Sequence, residues 1–332
     1  MMLNADETAD KSPTNSQASG PLITVAICTH NRAALLEKAV RSVLRQMTGD
    51  AELLIVDNAS TDDTPAVAAR LVSSNPRITV YREAEPGISA ARNAALKQAR
   101  GEFVLFLDDD ETAETDWLAA YQRFLSAPPS EKIAAVGGAY FTEFEIPPAR
   151  RGDASISFDC GDSPKCLPYP GSLYGGNTAY RRETALAVGM FDPQLGRRED
   201  SDMNLRLQDA GYEIWWLPGA AIWHFSPAKG MKFHIIMRER FNDGRFIAIQ
   251  RLKSRRKGWD RGCYRIARII GGPFHALAHL LAALIALPRR YSKAAEHVLQ
   301  ACRNCGVAWG MLVNWKPPTS NDNNQTVIGK ET

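Results

Sequence analysis

Short apolar runs alternate with helical spacings through the first half of the chain. Leu22–Cys28 is an apolar run of strand length. Ala33–Met47 then places Leu35, Leu36, Ala39, Val40, Val43, Leu44 and Met47 at helical spacing. Leu53–Val56 and Ile78–Tyr81 read as further strands. Between them a helix is predicted at Asp63–Val72, with Pro65 acceptable in its first turn. Ile88–Ala99 reads as a helix and Phe103–Leu107 as a strand. That last run is wholly apolar, as befits a strand buried on both faces. A helix at Trp117–Leu125 and a strand at Ile133–Tyr140 continue the series. The alternation predicts an α/β fold, with a mostly parallel sheet flanked by helices. Ligands of such sheets bind beyond the carboxyl ends of the strands.

The pattern loosens afterwards. Residues 143–175 are rich in Pro and Gly and read as a long irregular loop. Leu173–Ala187 follows, and Asp200–Ala210 is clearly helical. Ile214–Leu217 and Ala220–His224 look like two short strands. From Met231 onward the chain turns basic and helical. Polar residues 1–20 and 317–332 read as a disordered leader and tail. The leader lacks a basic start and an apolar core, so no signal peptide is expected. The organisation is then a domain over 21–226 and a basic helical segment over 227–316.

Composition sharpens that division. A chain of 332 residues suggests two domains, or one large domain with an appendage. Its 45% hydrophobic and 23% charged content is ordinary for a soluble protein and excludes wholesale disorder. A net charge of +3 excludes a strongly basic nucleic-acid binder. The total hides an asymmetry. Residues 1–226 carry 21 basic and 31 acidic side chains, whereas residues 227–316 carry 18 basic and 4 acidic. An acidic body followed by a basic segment points to a negatively charged partner surface. The six cysteines are expected as reduced thiols, since the lone Cys302-x-x-Cys305 has no matching pair for zinc.

Four strand ends carry polar groups. They are Thr29-His30-Asn31-Arg32, Asp57-Asn58-Ala59-Ser60, Glu85-Pro86-Gly87 leading to Arg92 and Asn93, and Asp108-Asp109-Asp110. The topology brings them to one crevice. Adjacent carboxylates at one point repel, and should attract a hard divalent cation of the magnesium type. Asp57 suits a base N–H or a ribose hydroxyl, or a simple turn. Thr29 can cap the next helix or touch a nucleobase. A second acidic run, Glu199-Asp200-Ser201-Asp202, opens a helix. Asp202 and Arg206 are four apart and can pair, which leaves Asp200 as a candidate general base. His224, ending a short strand, is either structural or a further metal ligand. Neither a G-x-G-x-x-G nor a G-x-x-x-x-G-K-[ST] follows the first strand, against dinucleotide enzymes and P-loop NTPases.

These residues resemble those of family 2 glycosyltransferases of the GT-A fold. The matching stretches are V-A-I-C-T-H-N-R (25–32), I-V-D-N-A-S-T-D (55–62), E-P-G-I-S-A-A-R-N (85–93), F-L-D-D-D (106–110), G-G-N-T-A-Y-R-R (175–182) and E-D-S-D-M-N-L-R (199–206). The resemblance covers roughly 21–226. It implies inverting transfer of a sugar from a nucleoside-diphosphate donor to an acceptor hydroxyl, with Mn2+ or Mg2+ as cofactor. It further implies that Thr29, Asp57 and Arg92 contact the nucleotide. Asp108 and Asp110 form a D-x-D, with Asp110 the direct metal ligand and Asp109 near the ribose. Gly176 and Asn177 line the sugar pocket, Asp200 is the base, and Glu199, Asp202 and Arg206 lie on the acceptor side. His224 is a further metal-ligand candidate. Processive relatives carry Q-x-x-R-W after the base; this chain has none, so one sugar per encounter is expected, in cell-surface polysaccharide or glycolipid synthesis.

The rivals are a sugar-nucleotide pyrophosphorylase and a non-catalytic nucleotide-sugar binding module. The first should show a Gly-rich basic loop after its first strand, and the second should have lost the D-x-D or the base. In the basic segment, Ile269–Pro288 holds no Asp, Glu, Lys or Arg. It reads as an interfacial helix, a hairpin folded on the domain or a subunit, or a span. The expected setting is cytoplasmic, peripheral on the cytoplasmic face of the membrane, with a glycan or lipid-linked acceptor.

Overall fold

The computed structural model describes residues 20–49, 51–144, 160–195, 198–226, 237–238, 240–242, 244–248, 261–286 and 291–313. The expected leader up to residue 19, the tail, residues 145–159 of the expected loop and the basic cluster at 253–257 lie outside the described residues.

Strands β1 (Ile23–Thr29), β2 (Ala51–Asn58), β3 (Ile78–Glu83) and β4 (Phe103–Leu107) form a parallel block in the order β3-β2-β1-β4. Helices α1 (Ala33–Leu44), α2 (Thr64–Ser74) and α3 (Ile88–Gln98) link them. Side chains alternate faces along each strand. One face therefore packs Ile23, Val25, Ile27, Leu53 and Ile55 against Leu36 and Val40 of α1, Val67 of α2, and Trp117 of α4 (Trp117–Ser126). The other packs Ala26, Leu54, Val56, Val104 and Phe106 against α3 and α6 (Glu199–Asp209). Burial on both faces explains why β1, β2 and β4 read as unbroken apolar runs.

The rest of the sheet is mixed. β5 (Glu111–Ala113), β6 (Ile133–Phe144), β7 (Lys165–Cys166), β8 (Asn177–Arg181) and β9 (Glu213–Ser226) complete it, with α5 (Arg182–Ala187) after β8. The order runs on as β4-β8-β6-β9-β5, with β7 on β9. β8 inserts antiparallel between β4 and β6, and β6 and β9 are parallel. The two strands expected over 214–224 are one strand. Its pairing with β6 breaks between Leu217 and Ile222, where Pro218 lies; proline lacks the N–H a ladder needs, which explains the apparent gap. β5 was not expected: at three residues, directly after the aspartates, it has no periodicity to read.

Beyond the sheet, α7 (Arg261–Ala286) and α8 (Tyr291–Val313) pack together as a hairpin. Ile247 and Ala248 join Val307 and Met311 in a small separate core. His279 and His297 face each other across the hairpin, Nδ1 to Nδ1 at 3.1 Å. Phe274, Leu277, Leu280, Leu281, Trp309 and Leu312 are exposed. Among the described residues, no helix is long and apolar enough to cross a membrane.

Candidate active site

A cleft of about 420 Å³ opens at the carboxyl ends of the parallel block. Cys28, Thr29, His30 and Arg32 line it from β1, Asn58 from β2, and Asp108, Asp109 and Asp110 from β4. Pro86, Gly87 and Ile88 enter with α3, and His224 comes from β9. The four polar strand ends thus surround one space. Gly87 donates to Asn58 Oδ1 (2.7 Å) while Asn58 Nδ2 donates to Glu85 O (2.6 Å), tying the second end to the third. Gly87 holds φ +132, open to glycine and rarely to other residues.

Asp108, Asp110 and Glu111 form the one metal-capable cluster of three or more groups among the described residues, with ligand atoms all within 4.8 Å of one another. Glu111 is buried. Its Oε2 accepts the Asp108 N–H (2.9 Å), while Oε1 is buried with no hydrogen-bond partner among the described residues. Burial first, then the charges of Asp108 and Asp110, push its carboxyl well above the usual range. A buried carboxylate with an unmet oxygen and two like neighbours calls for a proton or a cation. Hard oxygen donors in this number suit Mg2+ or Mn2+, so the residues fit such an ion. His224 pairs in register with Glu111, and its Nε2 lies 3.8 Å from Asp110 Oδ2. Glu111 lies outside the residues expected from the sequence, although the unbroken D-D-D-E run of 108–111 carries the signal.

Arg92 joins this cluster to the second acidic run. Its Nη2 donates to Asp108 (2.9 Å) and its Nη1 to Glu199 (2.7 Å). The guanidinium also lies over Phe106 and Phe191, 5.6 and 5.7 Å from the ring centroids. Burial opposes its charge, but Asp108 and Glu199 outweigh that and raise its pKa well above the usual value. Burial pushes the Glu199 carboxyl up to about 7, with Arg92 pulling it down. Asp200 Oδ2 accepts the Gly175 N–H at 3.0 Å. A Cβ on Gly175 would lie 2.9 Å from Asp200 Cβ, and one on Gly176 would lie 2.5 Å from Glu111 Oε1. The glycine pair therefore lets the chain thread between the two carboxylate groups.

Several expected roles change. Thr29 Oγ1 donates to Asp109 (2.7 Å) and does not cap α1. Asp109 lines the cleft and is held there by Thr29 and by Arg32 Nη1 (2.8 Å). Burial raises that carboxyl to about 6, against Arg32 and Thr29. Asp57 is buried and Oδ1 accepts the Ser60 N–H (3.1 Å), closing its own turn. Arg92 is enclosed behind the cleft and does not line it. Asn177, expected in the sugar pocket, is a buried structural tie. It accepts from Trp117 Nε1 (2.7 Å) and Tyr121 Oη (3.0 Å), and donates to Ala139 O (2.8 Å) and Ala220 O (2.7 Å). Asp202 and Arg206 do pair, at 2.7 Å, but Arg206 also binds the carbonyls of Val188 and Met190. That pair anchors the turn after α5.

Residues 24–185 match the profile described as Glycosyl transferase family 2. An uncharacterized protein, y4gI, of Sinorhizobium fredii is 31% identical over 232 residues, 63% of this chain and 25% of that protein. The GalNAc(5)-diNAcBac-PP-undecaprenol beta-1,3-glucosyltransferase of Campylobacter jejuni is 40% identical over 93 residues, 27% of this chain and 30% of the relative. The chain thus spans less than a third of either curated relative. The solved structure of the mannosyltransferase PcManGT from Pyrobaculum calidifontis, in complex with GDP-Man and Mn2+, aligns with a TM-score of 0.62 at 20% identity. The alignment covers 89% of this chain and 88% of that one, and it shows a shared fold: an α/β, mostly parallel sheet of the GT-A type with helices on both sides.

Proposed function

We propose that this chain, which belongs to glycosyl transferase family 2 through residues 24–185, moves one sugar per encounter from a nucleoside-diphosphate donor to an acceptor hydroxyl, with inversion. The carrying observation is the convergence of Asp108, Asp110 and Glu111 at the cleft, with Asp200 held on the adjoining glycine pair. A divalent cation bound by these three carboxylates, beside His224, would supply Lewis-acid stabilisation of the diphosphate. The wall formed by Cys28, Thr29, Asn58 and Gly87 receives the nucleotide, with Asp57 and Arg92 supporting it from behind. Gly176, which has no side chain, lets the backbone pack directly against Glu111 and Asp108, where a Cβ would lie 2.5 and 2.8 Å from their carboxylates. Asp200 accepts the acceptor proton as the acceptor oxygen attacks the anomeric carbon. The bond from that carbon to the phosphate oxygen breaks, and its electron pair stays on the phosphate.

Relatives support the donor and acceptor classes. One matched structure holds a nucleoside-diphosphate sugar with Mn2+, and one matched enzyme acts on an undecaprenol-linked glycan by its name. That name supports our reading of a lipid-linked or glycan acceptor, in cell-surface polysaccharide or glycolipid synthesis. The basic segment supports seating on the anionic cytoplasmic face of a membrane, since its hairpin exposes Phe274, Leu277 and Leu281 at helical spacing.

The test is Asp200→Asn. Transfer should fall about 10³-fold, while stabilisation by donor sugars with Mn2+ in a thermal-shift panel stays within about 2-fold of wild type. Retained transfer removes Asp200 as the base. A long homopolymer from the wild-type enzyme removes single-sugar transfer.

A further inference from the structure

We infer that Arg32 is a further catalytic residue of this cleft: a cation held on Asp109 and Asp110 that leaves Asp110 for the donor diphosphate when a divalent ion takes that carboxylate. The inference rests on the transfer reading above. Arg32 Nη1 donates to Asp109 Oδ1 at 2.8 Å and to Asp110 Oδ2 at 2.6 Å. Asp110 also belongs to the three-carboxylate cluster, so Arg32 and a metal ion compete for one carboxylate.

The two anchors differ. The Asp109 side chain is 6% exposed and bound by Thr29 Oγ1, so it stays in place. The Asp110 side chain is 16% exposed, and that of Arg32 is 46% exposed and lines the cleft. The Arg32 backbone is fixed at the start of α1, where its N–H donates to Thr64 Oγ1 (3.0 Å). Arg32 therefore pivots about Asp109 without moving its main chain. Its planar fork can present two N–H groups to phosphate oxygens, which a lysine cannot do. As the sugar–phosphate bond breaks, its electron pair arrives on the phosphate oxygen. Arg32 receives that charge through hydrogen bonds and keeps its protons, while the acceptor proton goes to Asp200. Arg32 thus holds a metal ligand neutralised before the ion arrives, then neutralises the leaving group.

The experiment titrates the full chain with MnCl2 alone, then with UDP, GDP, ADP, CDP and dTDP in saturating MnCl2, by calorimetry. Arg32→Ala should bind Mn2+ alone about 5-fold more tightly, because a half-exposed competitor is gone. The same variant should bind the recognised diphosphate about 10-fold more weakly and turn over about 10²-fold more slowly. Arg32→Lys restores a point charge. It should return Mn2+ affinity to the wild-type value and recover only part of the turnover. A merely structural Arg32 weakens Mn2+ and diphosphate together, and a bystander changes neither; either result overturns the inference. If no diphosphate binds the wild type, the transfer reading fails and takes the diphosphate role with it, while unchanged Mn2+ affinity in Arg32→Ala would separately refute the competition.

Discussion

Two acidic runs of similar composition behave in opposite ways. Asp108–Glu111 follows a strand and Glu199–Asp202 opens a helix. In the first, a turn and the short strand β5 bring Asp108, Asp110 and Glu111 to one point, and one oxygen of Glu111 is left unmet. In the second, helical rotation of about 100° per residue sends the carboxylates apart. Glu199 goes to Arg92, Asp200 to the Gly175 N–H, and Asp202 to Arg206. The backbone that carries a run of acids decides whether they make a cation site or a set of separate ties.

The strongest way to break this contrast is Asp110→Ala. If the first run is a metal site, turnover should fall about 10³- to 10⁴-fold, and Mn2+ should no longer raise the melting temperature. Persistence of that Mn2+ effect would place the ion elsewhere. The second run is tested by Glu199→Gln and pH. The folded carboxyl titrates near 7 against a reference of 4.5, so between these values the native state holds the proton longer than the unfolded chain. The contribution of Glu199 is fully present at low pH and declines as the buried carboxyl ionises with rising pH. Chemical denaturation across pH 4–8 should show that decline in the wild type and a flatter profile in Glu199→Gln; parallel profiles would remove Glu199 as its source. The smallest effect sharpens the structural half. Arg206→Ala should cost about 2 kcal/mol by loss of the Asp202 pair and two carbonyl contacts. Turnover per folded molecule should stay within about 2-fold, and a large fall in turnover at full stability would return Arg206 to the acceptor side.

Much of the fold was legible from hydrophobic periodicity. Phe103–Leu107 was expected with the bounds observed, and β1, β2 and β3 were found within a few residues. β1, β2 and β4 are buried on both faces, so burial writes them into the sequence, whereas β3 is an edge strand with Thr79, Val80 and Arg82 exposed. The mixed half was read less well. β5 is too short to have a period, and Pro218 splits β9 on paper while an irregularity absorbs it in space. The site was legible as positions and misread as partners. Asn177 looks like a free polar side chain at a strand start, yet Trp117 and Tyr121 occupy its oxygen.

The sequence by itself determined which residues lie at strand ends and where the acids and bases stand, because apolar spacing reports each segment's buried face locally. Only the tertiary structure decided which charge neutralises which. Arg32 and Asp109 are 77 residues apart, and Arg92 and Glu199 are 107 apart. Such pairs form only when the sheet closes those loops, and nothing in local periodicity records the closure.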